Sequence, residues 1–171
     1  MRYIVLLPIL VSLAIGDILS INSFEADFIQ SIKDDKGSKL EYKGHVQATK
    51  PQFALWSYKS PIQKEIYINS QQATIIEPEI EQALIKRIEG DFDFFRLIKN
   101  AKKIDKNLYM AKFQEVEYTI KMKESNIVSI SYKNELENRV EILFSNQIQN
   151  KKIDTKIFTP NIPTAYDIIR G

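Results

Sequence analysis

Apolar and polar residues alternate along most of this chain with the period of two that puts successive side chains on opposite faces of a strand. Phe24, Ala26 and Phe28 alternate with Glu25 and Asp27. Leu40, Tyr42, Gly44, Val46 and Ala48 alternate with Glu41, Lys43, His45, Gln47 and Thr49. Between them lies Asp34-Asp35-Lys36-Gly37, a turn signal whose glycine supplies a positive φ. Together the two runs predict a hairpin with one apolar face. Residues 53–58 lie between Pro51 and Pro61, which suit strand ends. Residues 65–69 alternate around Ile66 and Ile68, and residues 73–76 predict a further short strand.

Near residue 78 the period changes. Pro78 suits a first helical turn, acids follow it, and bases close the segment at Lys86 and Arg87. Ile80, Ala83, Leu84 and Ile88 form an i, i+3, i+4, i+8 stripe, so residues 78–88 predict a helix that ends at Gly90. Phe92, Phe94, Phe95, Leu97 and Ile98 predict a second one. Strand periodicity then returns over residues 108–113, 116–122, 127–132 and 140–144, with Asn134-Glu135 near a turn. Residues 153–158 predict a last strand before Pro160. The sum is a mainly β (α+β) chain, an antiparallel sandwich or barrel-like sheet interrupted once by about two helices. The apolar stripe of such an insertion needs a surface to cover, and the open mouth or concave face of the sheet provides one.

The N-terminus has a different character. Arg2 precedes an uncharged, mostly apolar stretch over residues 3–15, shorter than the roughly 20 residues that span a bilayer. Small residues follow at Ser12, Ala14 and Gly16. This pattern predicts a signal peptide over residues 1–16, cleaved near Ala14 or Gly16, and a single exported domain over residues 17–171. Residues 17–23 predict a helical turn or two. The chain has no cysteine, which excludes disulfides, thiolate metal sites and anchoring through an acylated cysteine. Its one histidine, His45, falls on the polar face of its strand and reads as a surface residue, so a multi-histidine metal site is excluded. Lys and Arg total 24 against 22 Asp and Glu, which removes the electrostatic case for nucleic acid. Lys99, Lys102, Lys103 and Lys106 read as a solvated face. No G-x-S-x-G elbow is present, so an enzyme is not expected.

Several segments, in order, resemble the outer-membrane lipoprotein carrier family LolA. Phe24-Glu25-Ala26-Asp27-Phe28-Ile29-Gln30 is similar to its F-x-A-x-F-x-Q opening strand, and Gly37 and Gly44 flank the second strand. Lys50-Pro51 with Trp56, Tyr58 and Pro61 resembles its R-P, W and P run. Glu77-Pro78 with Glu81-Gln82 resembles the approach to its lid helix, and Phe94-Phe95-Arg96-Leu97-Ile98 the next lid segment. Phe158-Thr159-Pro160 with Asp167-Ile168-Ile169 is similar to its C-terminal pattern. There are three departures. Lys50 stands where the family has arginine, Ser70-Gln71-Gln72 replaces an Asp-Gly turn, and the N-terminal helix is short.

The resemblance implies an incomplete antiparallel β-barrel, a strongly curved sheet with a helical lid over a hydrophobic cavity. It implies a monomeric periplasmic carrier that shelters lipoprotein acyl chains without a cofactor. Cargo would come from an inner-membrane LolCDE transporter and go to a LolB-like outer-membrane acceptor. Candidate cavity liners from the sheet are Phe28, Leu40, Val46, Trp56, Ile66 and Ile68; those from the lid are Ile80, Leu84, Ile88, Phe94, Phe95 and Leu97. Lys50 is the candidate for holding the lid closed, as a single point donor where arginine offers a planar fork. Alternating apolar residues also build ordinary cores, so the cavity rests on the resemblance and not on periodicity. A lipoprotein-sensing or other lipid-binding periplasmic protein on the same fold is the alternative; sensing regulators usually carry an additional domain for which this chain has no room.

Overall fold

The computed structural model describes residues 18–69, 72–87, 94–113 and 115–171. The expected signal peptide, Ser70-Gln71, Ile88, Gly90 and Phe92 lie outside the described residues. The strands are β1 (Ser23–Lys33), β2 (Lys39–Thr49), β3 (Phe53–Ser60), β4 (Lys64–Asn69), β5 (Gln72–Glu77), β6 (Gln82–Arg87), β7 (Lys102–Asp105), β8 (Leu108–Phe113), β9 (Val116–Lys123), β10 (Asn126–Lys133), β11 (Arg139–Gln149) and β12 (Asp167–Arg170). One helix, α1 (Phe94–Lys99), stands among them. The strands form one unclosed sheet in the order β12-β6-β5-β4-β3-β2-β1-β11-β10-β9-β8-β7. Neighbours are antiparallel except β12 and β6, which run parallel.

Alternation decides which residues face inward. In β1, Phe24, Ala26 and Phe28 are buried while Glu25 and Asp27 keep partial exposure. The same alternation in β2, β3, β9 and β11 gives the sheet one continuous apolar inner face. The β1–β2 turn holds Gly37 at φ 89, where a side chain is strained, and Asp34 accepts from the Ser38 amide to close it. The equivalent turn between β10 and β11 uses Asn134, whose side chain accepts from the amides of Leu136 and Asn138.

The outer face is covered at one end by the chain after β11. Asp154 caps a 3-10 turn over Thr155–Phe158 by accepting from the Lys156 amide. Phe158, fully buried, stacks on Phe53 with ring centroids 5.7 Å apart. Ile162 and Tyr166 then pack on a small core of Tyr67, Ile76 and Ala83. This crossing delivers β12 to the edge beside β6, where the Asp167 amide donates to the Glu81 carbonyl.

Two expectations are corrected. Residues 78–87 are not a helix: a 3-10 turn over Pro78–Ile80 ends at Glu81 in the left-handed region, φ 51 and ψ 43, and the chain leaves as β6. There Ala83 opposes Ile76 on the outer side and Leu84 opposes Ile75 on the inner side, so cross-strand pairing replaces the helical stripe. The lid among the described residues is therefore α1 alone. Residues 153–158 are not the last strand; β12 is, and it went unread. β7 also went unread; its Lys102 and Lys103 are exposed, on the solvated face expected, and lysines on an edge strand discourage further pairing.

Candidate functional site

Cross-strand register lays the inner face out in rows. Ala26 opposes Val46, Val46 opposes Trp56, Trp56 opposes Ile66, Ile66 opposes Ile75, and Ile75 opposes Leu84. In the row nearer α1, Phe24 is followed by Ala48, Ala54 and Ile68. The two alanines stand low beside the aromatic cluster: the Phe24 ring lies 4.7 Å from Phe94 and 5.2 Å from Phe144, and Phe95 packs edge-on to Phe94. Phe94, Phe95, Leu97 and Ile98 are all buried, so α1 plugs this end.

The row farther from α1 runs Phe28, Gly44, Tyr58, Lys64. A Cβ on Gly44 would fall 2.3 Å from the Ser57 carbonyl oxygen and 2.6 Å from the Phe28 ring. Glycine here lets Phe28 lie across β2 and meet Trp56 and Tyr58 edge-on, at 5.1 and 5.0 Å.

Between these rows is a cavity of about 230 Å³. Trp56, Ile66, Ile68, Ala73 and Ile75 wall one side, Tyr132 and Ile142 the other, with Gln30, Tyr58 and Lys86 completing it. β6 and β10 are seven places apart in the sheet, a separation of roughly 34 Å at the ~4.8 Å strand spacing if the sheet were flat. Lys86 and Tyr132 nevertheless line one small cavity, so the sheet curls strongly on itself. A larger depression, about 1150 Å³, lies over the outer sides of β1, β2 and β9–β11 and is bordered also by Tyr132 and Val140 of the inner face. Its lining includes Lys33, Glu41, Glu117, Lys133, Arg139 and Glu141. Such a charged surface suits water and ions, so the inner cavity is the candidate site for an apolar ligand.

Gln30, Tyr58 and Lys64 lie away from α1, whereas Lys86, opposite Ala73, lines the cavity in the row nearer α1. The Tyr58 hydroxyl donates to Gln30 Oε1 at 2.9 Å. Burial, with the Tyr132 and Tyr42 phenols nearby, raises the Tyr58 pKa well above that of a free phenol. Lys64 Nζ sits 4.7 Å from the Tyr58 ring centroid and 5.5 Å from that of Tyr42. On the outer face, His45 Nδ1 is 2.8 Å from Asp27 Oδ1 and its Nε2 is 3.4 Å from Glu25 Oε1. Hydrogen bonds from Asn146 and His45 hold the Asp27 carboxyl below its usual pKa.

The expected liners fall into groups. Trp56, Ile66 and Ile68 line the cavity. Phe28, Val46 and Leu84 share its face in adjoining positions. Leu40 opposes Ile32 on that face, half exposed at the open end. Phe94, Phe95 and Leu97 are packed in the plug. Ile80 stands 62% exposed on the β5–β6 turn and does not line the cavity. Lys50 donates from Nζ to Asn22 Oδ1 at 3.0 Å, and its amide to the Asn22 carbonyl. It thus holds the segment carrying Ile18 and Ile21, which belong to the same core as α1. Gln30, Tyr58, Ala73, Ile75, Lys86, Tyr132 and Ile142 were missed as liners. Their strands and faces were readable, except in β6, but the curl that joins them was not.

A family model described as outer membrane lipoprotein carrier protein LolA matches residues 20–117. The chain belongs to the LolA family. An outer-membrane lipoprotein carrier protein of Campylobacter jejuni is 43% identical over 152 residues, 89% of each chain. That of Helicobacter pylori strain J99 is 32% identical over 142 residues, 83% of this chain and 76% of the relative. The crystal structure of a LolA superfamily protein from Nitrosomonas europaea has the same fold, with a TM-score of 0.54 at 12% identity over 86% of this chain and 96% of that one. In this LolA-family chain, the matched residues include Gln30, Trp56, Ile66 and Lys86, while Tyr132 and Ile142 come from strands beyond them.

Proposed function

We propose that this protein is a periplasmic carrier, not an enzyme, that takes lipoproteins released from the inner membrane and delivers them to the outer membrane. The observation that carries the reading is an apolar cavity bounded by a curled sheet and closed at one end by α1, in a chain whose relatives are named for lipoprotein transport. An acyl chain gains about 0.8 kcal/mol for each methylene taken out of water. Trp56, Ile66, Ile68, Ala73, Ile75 and Ile142 supply that surface.

At about 230 Å³ the cavity is smaller than the roughly 300–1,000 Å³ of drug-sized sites, and it holds part of one acyl chain. Loading therefore requires the α1 plug to move and expose Phe94, Phe95 and Leu97. Lys50 acts on this plug indirectly, through Asn22 and the segment carrying Ile18 and Ile21. Residues 1–16 serve as the export signal, and residues 17–171 form the carrier domain. Its donor is a LolCDE-type transporter and its acceptor a LolB-like protein.

The test is to incubate the mature protein with vesicles holding the LolCDE transporter, ATP and an outer-membrane lipoprotein. The expected product is a soluble one-to-one complex formed only with ATP. Cargo that stays with the vesicles, while a known carrier releases it, overturns the reading.

A further inference from the structure

We infer that Gln30 and Tyr132 form a polar subsite that receives the carbonyl at the head of an acyl chain and so fixes the direction in which the chain lies. The inference rests on the acyl-cavity reading and refines it. Gln30 and Ile142 are register partners, and Tyr132 lies on the next strand, opposite Val140. All of these are on the inner face, and Gln30, Tyr132 and Ile142 line the cavity.

The hydrogen bonding at this end is incomplete in one sense only. Gln30 uses its amide oxygen to accept from Tyr58, which directs its amide nitrogen, a donor, elsewhere. The Tyr132 hydroxyl has no hydrogen-bond partner among the described residues, while its ring is held against Tyr118 at a centroid separation of 4.8 Å. A phenol is protonated across the neutral range, and burial raises the Tyr132 pKa further, so its hydroxyl can donate. Both donors belong to side chains that line the cavity, Gln30 beside Ile142 and Tyr132 where the cavity adjoins the larger depression, and the remaining wall is mostly hydrocarbon. An ester or amide carbonyl oxygen has two lone pairs and matches that pair of donors. A plain hydrocarbon in the same place strips water from both donors and replaces nothing.

Direction follows from the sequence of rows. Along β1 the inward residues run from Phe24, which touches α1 through Phe94, through Ala26 and Phe28 to Gln30. A carbonyl on Gln30 and Tyr132 therefore sets the head of the chain away from α1 and its methyl end towards the plug. The polypeptide attached to that head leaves by the open end, near Tyr42 and half-exposed Leu40.

Trp56 is the chain's only tryptophan and lines the cavity, so its fluorescence reports occupancy directly. Purified protein is titrated with methyl octanoate and with decane, which match in main-chain length but differ in the ester. The titrations are repeated for Gln30→Leu and Tyr132→Phe, both close in shape to the residues they replace. Loss of one net hydrogen bond predicts that each variant weakens methyl octanoate by about fivefold. Decane binding is expected to be unchanged or slightly tighter. Equal changes for the two ligands, or no change for either, overturn the subsite and leave the cavity reading standing. Failure of both ligands to perturb Trp56 in the unaltered protein overturns the cavity reading and the subsite with it.

Discussion

Towards α1, the inner face is solid: Phe24, Phe94, Phe95 and Leu97 interlock over the low floor of Ala48 and Ala54. One or two rows further along the same strands, Trp56, Tyr58, Ile66 and Ile75 enclose a space instead. Both ends are built from apolar residues at the same strand periodicity, on one sheet and with one register. They differ in what comes down onto the sheet. At one end a helix with four inward apolar side chains fills the hollow. At the other the sheet meets only its own far side, and Tyr132 and Ile142 do not reach across to close it. Filled apolar surface stabilises the fold, whereas the unfilled part keeps its contacts for a ligand.

The comparison breaks most severely at the plug. Phe94→Ala removes a fully buried ring between Phe24 and Phe95 and should lower stability by about 3–5 kcal/mol. A shift of the urea midpoint without a change in m measures this. A loss below about 1 kcal/mol would mean that α1 rests loosely on the sheet and that the two ends are alike. Gly44→Val comes next. The 2.3 Å approach to the Ser57 carbonyl forces β2 from β3, and displaced Phe28 disturbs Trp56. A loss of about 1–3 kcal/mol is expected, together with a shifted Trp56 emission maximum. Unchanged emission would separate Gly44 from the cavity wall.

Legibility in the sequence follows the same division. Strands that bury one face on the core announce themselves by alternation, and β1 to β5 and β8 to β11 fall where Phe24, Val46, Trp56, Ile68, Ala73, Ala111, Ile120, Ile130 and Ile142 place them. Segment 78–88 misled because Ile80, Ala83, Leu84 and Ile88 satisfy a helical spacing, while strand β6 is apolar on both faces at Ala83 and Leu84. A run buried on both sides loses its period-two signature. β7 and β12 were missed because edge strands bury almost nothing; every residue in both is exposed. Trp56, Ile66 and Ile68 could be named as liners because the resemblance supplied the cavity and local alternation puts them on one face of the paired strands β3 and β4. Tyr132 and Ile142 could not, since their position opposite Trp56 depends on how far a twelve-stranded sheet curls, which no local pattern encodes.

At the unfilled end the expected sign reverses. Ala73 lies in the cavity wall and is nearly inaccessible. Ala73→Leu projects three more carbons towards Ile68 and the space beside it. Stability should rise by up to about 0.5–2 kcal/mol, the usual gain from filling a void. Methyl octanoate, read through Trp56, should bind at least about tenfold more weakly because the substitution occupies its volume. If the variant is less stable, the space is already closed in solution and the contrast between the two ends disappears.

The smallest effect concerns the phenols around the hollow. Burial pushes the Tyr118 pKa up to about 12, and burial raises those of Tyr58 and Tyr132 as well. A free tyrosine ionises near pH 10. Below that value the phenol is protonated in both folded and unfolded chains and contributes no pH dependence. Between about pH 10 and 12 the unfolded chain loses this proton and the folded chain keeps it, so folding stability falls as pH rises. The urea midpoint should therefore decline more steeply in the unaltered protein than in Tyr118→Phe, with the two curves parallel from pH 7 to about pH 9. Tyr118 is buried, and burial of Tyr58 and Tyr132 acts in the same direction, so removing the Tyr118 hydroxyl changes the slope modestly and does not abolish the decline. Adding methyl octanoate sharpens the result: a ligand seated on Tyr132 dries its neighbour Tyr118 further, and the decline should begin at higher pH. Parallel curves with and without ligand would place the ligand away from this end of the cavity.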